Sequence, residues 1–133
     1  MPITNRRPGQ LRVLVADDNR DNAETTAMLV EHFGYDARAV FDGSQALAAA
    51  AEFDPDVLVL DISMPKLTGW DVAREIRRQS ARRVALIALT GEYLQGSDRA
   101  LSKIAGFDDY LTKPFDPMHL RNLLQRFAER LPA

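Results

Sequence analysis

Five short apolar runs, separated by segments of helical period, predict an α/β domain whose strands form one parallel sheet. Three of the runs are nearly continuous in apolar residues, as parallel strands covered on both faces are. Right-handed crossovers leave few windings for five such units. The expected one is an open, doubly wound sheet in strand order 2-1-3-4-5, with helices on both faces and a switch point between strands 1 and 3.

The chain opens on Met1–Gln10, which has two prolines, a glycine and two arginines but no apolar period, so residues 1–10 are expected to be a flexible leader or linker. The domain is expected over residues 11–131. Leu11–Ala16 is the first predicted strand. The first helix follows, with Asn19 or Asp21 as its cap, Ala23, Ala27, Val30 and Phe33 on one face, and Gly34 as its stop. Asp36–Phe41 is the second strand, and the Ala-rich Gly43–Glu52 the second helix. Val57–Leu60 is the third strand. The helix over Gly69–Gln79 then presents Val72, Ala73 and Ile76 along one side. Val84–Leu89 is the fourth strand. A fourth helix is expected to end at Ala105-Gly106, with Ala100, Leu101 and Ile104 in register and with Gly91 and Gly96 weakening its start. Phe107–Leu111 is the fifth strand. The last helix begins near Pro117 and spaces Leu120, Leu123, Leu124, Phe127 and Leu131 at helical period.

Composition narrows the function. A chain of 133 residues is about one domain, long enough to hold a core without disulfides. There is no cysteine, which removes thiolate nucleophiles and Cys-based metal sites. With 17 Lys and Arg against 19 Asp and Glu, net charge −2, the chain has no bulk positive charge for direct nucleic-acid or membrane binding. No apolar run approaches the ~20 residues of a membrane span, and the N-terminus lacks a secretory signal. The expected location is cytoplasmic. Arg77-Arg78 and Arg82-Arg83 lack interleaved aromatics and read as a solvated face, and His32 and His119 do not read as metal ligands.

The strand ends carry the chemistry. Strand 1 ends in Asp17-Asp18, strand 3 in Asp61, strand 4 in Thr90 and strand 5 in Lys113-Pro114, so all four tips share the rim where such sheets bind ligands. Taken singly, Asp17-Asp18-Asn19 is also a turn and helix cap, and Thr90-Gly91 a common strand exit. Taken together, three converging carboxylates repel unless protons or a cation relieve them. Oxygen ligands alone favour a hard cation, Mg²⁺ before Ca²⁺. Lys113 adds an ammonium and Thr90 a hydroxyl. A metal, an ammonium and a hydroxyl around one carboxylate suit a phosphoryl group with the aspartate as nucleophile.

The stretch from about Leu11 to Phe127 resembles the receiver domain of two-component response regulators, of the chemotaxis-regulator type. The resemblance rests on Val15-Ala16-Asp17-Asp18-Asn19, on Leu60-Asp61-Ile62-Ser63-Met64-Pro65 followed by Gly69, on Ala88-Leu89-Thr90, and on Ala105-Gly106-Phe107-Asp108-Asp109-Tyr110-Leu111-Thr112-Lys113-Pro114-Phe115. It implies a flavodoxin-like fold and a phosphorylatable switch. Asp61 would be the phosphoacceptor, supplied by a sensor histidine kinase or a histidine phosphotransfer protein. Asp18 and Asp61 would be direct Mg²⁺ ligands, Asp17 a ligand mostly through water, and the Ser63 carbonyl a further ligand. Lys113 and Thr90 would hold the phosphoryl oxygens, and the Lys113–Pro114 bond would be cis.

Tyr110 matches the family's switch aromatic, expected to move as Thr90 is drawn to the phosphoryl group. The face built from the fourth helix, fifth strand and fifth helix would respond, meeting a downstream protein or a second copy of the chain. Gly91 stands where alanine is more usual, while Ser63 and Glu92 occupy variable positions that influence hydrolysis. Phe107 is expected in the core, and Trp70 in packing or partner contact. Such a switch acts catalytically only on its own aspartate, and a chain of this length is expected to carry no output domain. The rival is a Mg²⁺-dependent aspartyl-phosphate phosphohydrolase, but Ser63 stands where that chemistry needs a second acid.

Overall fold

Parallel pairing joins five strands in the order β2-β1-β3-β4-β5, the doubly wound order expected from the sequence. The strands are β1 (Arg12–Ala16), β2 (Asp36–Val40), β3 (Val57–Asp61), β4 (Ala85–Thr90) and β5 (Asp109–Thr112). Among the described residues, the helices are α1 (Arg20–His32), α2 (Gly43–Phe53), α3 (Gly69–Gln79) and α4 (Pro117–Ala128). This computed structural model describes residues 10–79, 83–91 and 106–130. The predicted fourth helix, Glu92 and Arg82 lie outside the described residues, as does nearly all of the expected leader.

Side-chain alternation along the strands builds one core on each face of the sheet. Leu14, Leu58, Leu60 and Leu86 face α2 and α3, where Ala46, Ala49, Val72, Ala73 and Ile76 cover them. Val13, Val15, Val57, Val59, Ile87 and Leu89 face the opposite way, under Ala27 and Val30 of α1 and Leu120, Leu123 and Leu124 of α4. All five residues of β3 are buried, as a central strand covered twice requires. Each fully buried Leu or Val contributes about 1.5–3 kcal/mol relative to exposure.

The helix ends follow local chemistry. Asn19 caps α1, its side chain accepting from the Asn22 N–H, and Gly34 leaves the helix at φ +98°, where a side chain is unfavourable. Asp42 caps α2 by accepting from the Gln45 N–H, while the Gln45 side chain accepts from the Phe41 N–H at 2.8 Å. That bond takes Phe41 away from the ladder, which is why β2 stops at Val40 instead of continuing to Phe41. Asp116 caps α4 ahead of Pro117.

Strand limits depart from the apolar runs because backbone pairing, not hydrophobicity, sets them. β3 extends through Asp61, which lies opposite Leu89, and β4 extends to Thr90, opposite Thr112. β5 starts at Asp109 and ends at Thr112, two residues later at its start and one at its end than its apolar run. Phe107 is half-buried ahead of β5, and Trp70 half-buried at the start of α3; both pack on the α3-side core.

Candidate functional site

The register Ala16↔Leu60 carries β1 and β3 to the same height, so the residues that follow, Asp17 and Asp61, emerge side by side on the rim. The Asp17 N–H donates to the Val40 carbonyl at 3.2 Å, and the Ile62 N–H to the Leu89 carbonyl at 2.9 Å, fixing both strand exits. The Lys113 N–H donates to the Thr90 carbonyl at 2.7 Å, bringing the end of β5 to the same rim. The Lys113–Pro114 peptide is cis.

Two short turns aim the carboxylates. Asp17 Oδ1 accepts from the Asn19 N–H at 3.0 Å, and Asp61 Oδ1 accepts from the Ser63 N–H at 2.9 Å. Each is an aspartate bonded to the backbone two residues on, a local preference of this residue type. The second oxygens turn toward Lys113, whose Nζ lies 2.8 Å from Asp17 Oδ2 and donates to Asp61 Oδ2 at 3.3 Å. Asp18 completes the group: Asp17, Asp18 and Asp61 each offer an oxygen, and these oxygens lie within 4.8 Å of one another. Asp17 and Asp61 are buried, whereas Asp18 opens the cluster to solvent.

Burial pushes the Asp17 carboxyl above its ordinary value, and neighbouring Asp61 adds to this; Lys113 and the Asn19 N–H offset only part of it. For Lys113, burial acts to lower its pKa, but contact with Asp17 and Asp61 outweighs it and the ammonium stands above its ordinary value. Lys113 neutralises Asp17 from 2.8 Å, and this ammonium is the partner of the buried Asp17 Oδ2. Three converging carboxylates, with no histidine or cysteine in the group among the described residues, form an all-oxygen donor set that fits a hard divalent cation.

The loop after β3 closes tightly around Asp61. The Gly69 N–H donates to the Ile62 carbonyl at 3.1 Å, and a Cβ at Gly69 would stand 2.6 Å from the Asp61 carbonyl oxygen and 2.7 Å from Ile62 Cα. Only glycine fits this approach. Thr68 and Asp71 cap α3 reciprocally: the Thr68 N–H and hydroxyl donate to Asp71 Oδ2, and the Asp71 N–H donates to Thr68 Oγ1.

The structure thus gathers Asp17, Asp18, Asp61 and Lys113 into one cluster, with the Ser63 backbone against Asp61. Thr90 is buried at the end of β4, one residue beyond the partner of Asp61. Tyr110 pairs with Ala88 and, half-buried, packs against the Ile62–Ala88 cluster that Trp70 and Phe107 also cover. Arg77 corrects its sequence reading. Expected on a solvated face, its side chain is only 22 % exposed and donates to the carbonyls of Gly106 and Val84 and to Asp108. Its position beside apolar Ile76 gave no local signal. The turn expected at Asp17-Asp18-Asn19 is present, and Asp61 to Ser63 forms a second of the same kind that the sequence reading did not include.

Comparison with known proteins fits this geometry. The profile described as response regulator receiver domain matches residues 13–125. The DNA-binding response regulator MtrA of Mycolicibacterium smegmatis is 38% identical over 120 residues, 90% of this chain and 50% of the relative. The chain therefore spans about half the length of the curated relatives it matches. Among solved structures, chemotaxis protein CheY4 of Vibrio cholerae superposes with TM-score 0.83 at 30% identity, covering 89% of this chain and 98% of that one. The receiver domain of a sensor histidine kinase from Pseudomonas aeruginosa, solved with a magnesium ion coordinated in its active site cleft, reaches TM-score 0.80 at 38% identity over 90% and 98% of the two chains. Sheet order, the rim of carboxylates and these matches converge, and the chain belongs to the response regulator receiver domain family of two-component signalling.

Proposed function

We propose that the domain is a phosphorylatable switch that accepts a phosphoryl group on Asp61 with Mg²⁺ and turns over no external substrate. The observation that carries this is the cluster itself: three carboxylate oxygens within 4.8 Å, with the Lys113 ammonium between Asp17 and Asp61. Asp17, Asp18, Asp61 and the Ser63 carbonyl would hold the metal, which supplies a Lewis acid that spreads phosphoryl charge. The magnesium in the Pseudomonas relative's cleft and the all-oxygen donors of the cluster support a hard cation at this rim.

In the transfer step an Asp61 carboxylate oxygen forms a bond to phosphorus as the bond from phosphorus to the donor's imidazole nitrogen breaks. The electron pair returns to the imidazole, which then takes a proton from solvent. Asp61 keeps one oxygen oriented by the Ser63 N–H, leaving the other for attack. Lys113 moves its ammonium from the carboxylates to the arriving phosphoryl oxygens, and the Thr90 hydroxyl donates to another. The added charge of about −1.5 to −2 draws Thr90 inward and lets Tyr110 turn into the space released. The donor is a sensor histidine kinase or a histidine phosphotransfer protein in the cytoplasm. The responding surface lies around β5 and α4, where a downstream protein or a second copy would bind.

Acetyl phosphate with Mg²⁺ is the direct test. Labelling is expected on Asp61 and absent in Asp61→Asn; equal labelling of the two proteins removes Asp61 as acceptor. The switch is tested separately, with Tyr110→Ala expected to retain labelling but lose the phosphorylation-dependent change in association.

A further inference from the structure

β5 poses a register problem. It is an edge strand of four residues with only Leu111 buried, so its hydrophobic pattern specifies register weakly. Yet Tyr110 and Lys113 both depend on that register, because a slip of one residue reverses every side chain along the strand. Something outside the strand must hold it.

The entry to β5 supplies the hold. Asp108, just before the strand, donates its N–H to the Leu86 carbonyl at 2.7 Å and accepts the Leu86 N–H on Oδ2 at 2.8 Å. Arg77, in the last turn of α3, reaches the same place. Its Nη2 donates to Asp108 Oδ2 at 2.9 Å and to the Gly106 carbonyl at 2.6 Å, its Nε donates to Gly106 at 3.1 Å, and its Nη1 donates to the Val84 carbonyl. One planar fork therefore ties α3, the approach to β4 and the approach to β5. Gly106 is shaped to this fork: at φ +90° it leaves room where a Cβ would stand 2.8 Å from Arg77 Nε. Arg83 takes the other Asp108 oxygen, but from the surface, 72 % exposed.

We infer that Arg77, clamped on Gly106 and Asp108, is the register lock of β5 and thereby a positioning residue for Lys113 at the opposite end of the strand. The carboxylates that would hold the metal lie at the ends of β1 and β3 and do not depend on this lock. This predicts a split that general destabilisation does not produce. The consequence for labelling rests on Asp61 as phosphoacceptor; the consequence for the strand does not.

The test compares wild type, Arg77→Met, Gly106→Ala and, as a control, Arg83→Met by amide hydrogen exchange, Mg²⁺ titration and acetyl phosphate labelling. Arg77→Met and Gly106→Ala are expected to lose protection at the Asp108 and Lys113 amides while β1 and β3 retain theirs. Mg²⁺ affinity should not weaken, and the labelling rate should fall about 10- to 100-fold, the scale of a misplaced positioning group. Arg83→Met should match wild type. If Arg77→Met fails to fold, Gly106→Ala reads the same lock. Unchanged protection in the folded variants overturns the proposal, as does uniform loss of protection across β1, β3 and β5 together with weakened Mg²⁺ binding, or an equal effect from Arg83→Met. If wild type itself takes no label, the phosphoacceptor assignment fails, while the exchange comparison still decides the lock.

Discussion

At the scale of single residues, the site is a balance between carboxylates and one ammonium. Removing the ammonium exposes the cost of the others. In metal-free Lys113→Met, Asp17 loses the cation that restrains its already raised pKa, and a buried acid with a raised folded-state pKa binds its proton more tightly folded than unfolded. Its penalty is therefore present at neutral pH and relieved as pH falls through the folded-state value. Denaturant titrations should show Lys113→Met gaining stability relative to wild type as pH falls from neutral, beginning above the pH at which ordinary carboxylates titrate. A constant difference across that fall in pH contradicts the balance. Gly69→Ala tests the backbone side of the site. Its Cβ has no room against the Asp61 carbonyl and Ile62, neither of which is a flexible side chain. A loss of about 1–3 kcal/mol is expected in thermal unfolding, typical of overpacking. Gly91→Ala meets nothing within 4 Å and has no positive φ, so its melting should match wild type.

At the scale of elements, α3 shows what a cap contributes. The Thr68 N–H and hydroxyl hold the Asp71 carboxyl below its ordinary value, with Arg74 adding to this. A depressed folded-state pKa gives stability that is present above the unfolded value and lost as pH falls through the folded one. Asp71→Ala should therefore cost about 1 kcal/mol at neutral pH, and the difference from wild type should shrink below about pH 4. Urea unfolding at the two pH values checks this; a cost that persists in acid assigns it to packing. The α1 cap was legible in Asn19 and the buried β3 in Val57-Leu58-Val59-Leu60, both local signals, and Thr68-x-x-Asp71 is a signal of the same kind that the reading of this helix by its apolar face passed over. Arg77 was not legible because its acceptors Gly106 and Asp108 lie 29 and 31 residues away in the chain. The limits of β5 were obscure for the same reason: Asp109 and Thr112 belong to the strand through pairing with Ile87 and Thr90 of β4, while the two aspartates at 108 and 109 read locally as a turn.

At the scale of the molecule, topology converts scattered aspartates into one site, and charge shows how concentrated it is. Setting aside Asp17, Asp18, Asp61 and Lys113 from 19 acidic and 17 basic side chains leaves 16 of each, so the site alone accounts for the net charge of −2. The sheet order made the acidic rim foreseeable, because β1 and β3 flank the switch point in any 2-1-3-4-5 winding. What the order could not reveal was the division of labour within the rim, with Asp17 and Asp61 buried and Asp18 open. That division makes a prediction for the whole fold. A cation that binds only the folded arrangement stabilises it by mass action, about 2.7 kcal/mol when free Mg²⁺ is one hundred times its dissociation constant. For a chain of this length the melting temperature should rise by roughly 10 °C, and chelation should reverse the rise. Asp18→Asn removes a ligand from the solvent side and also removes one of three mutually repelling charges. Its metal-free melting temperature should equal or exceed that of wild type, while most of the Mg²⁺-dependent rise disappears. Calorimetry with and without Mg²⁺ separates the two effects; an undiminished rise in Asp18→Asn places the bound cation somewhere other than this rim.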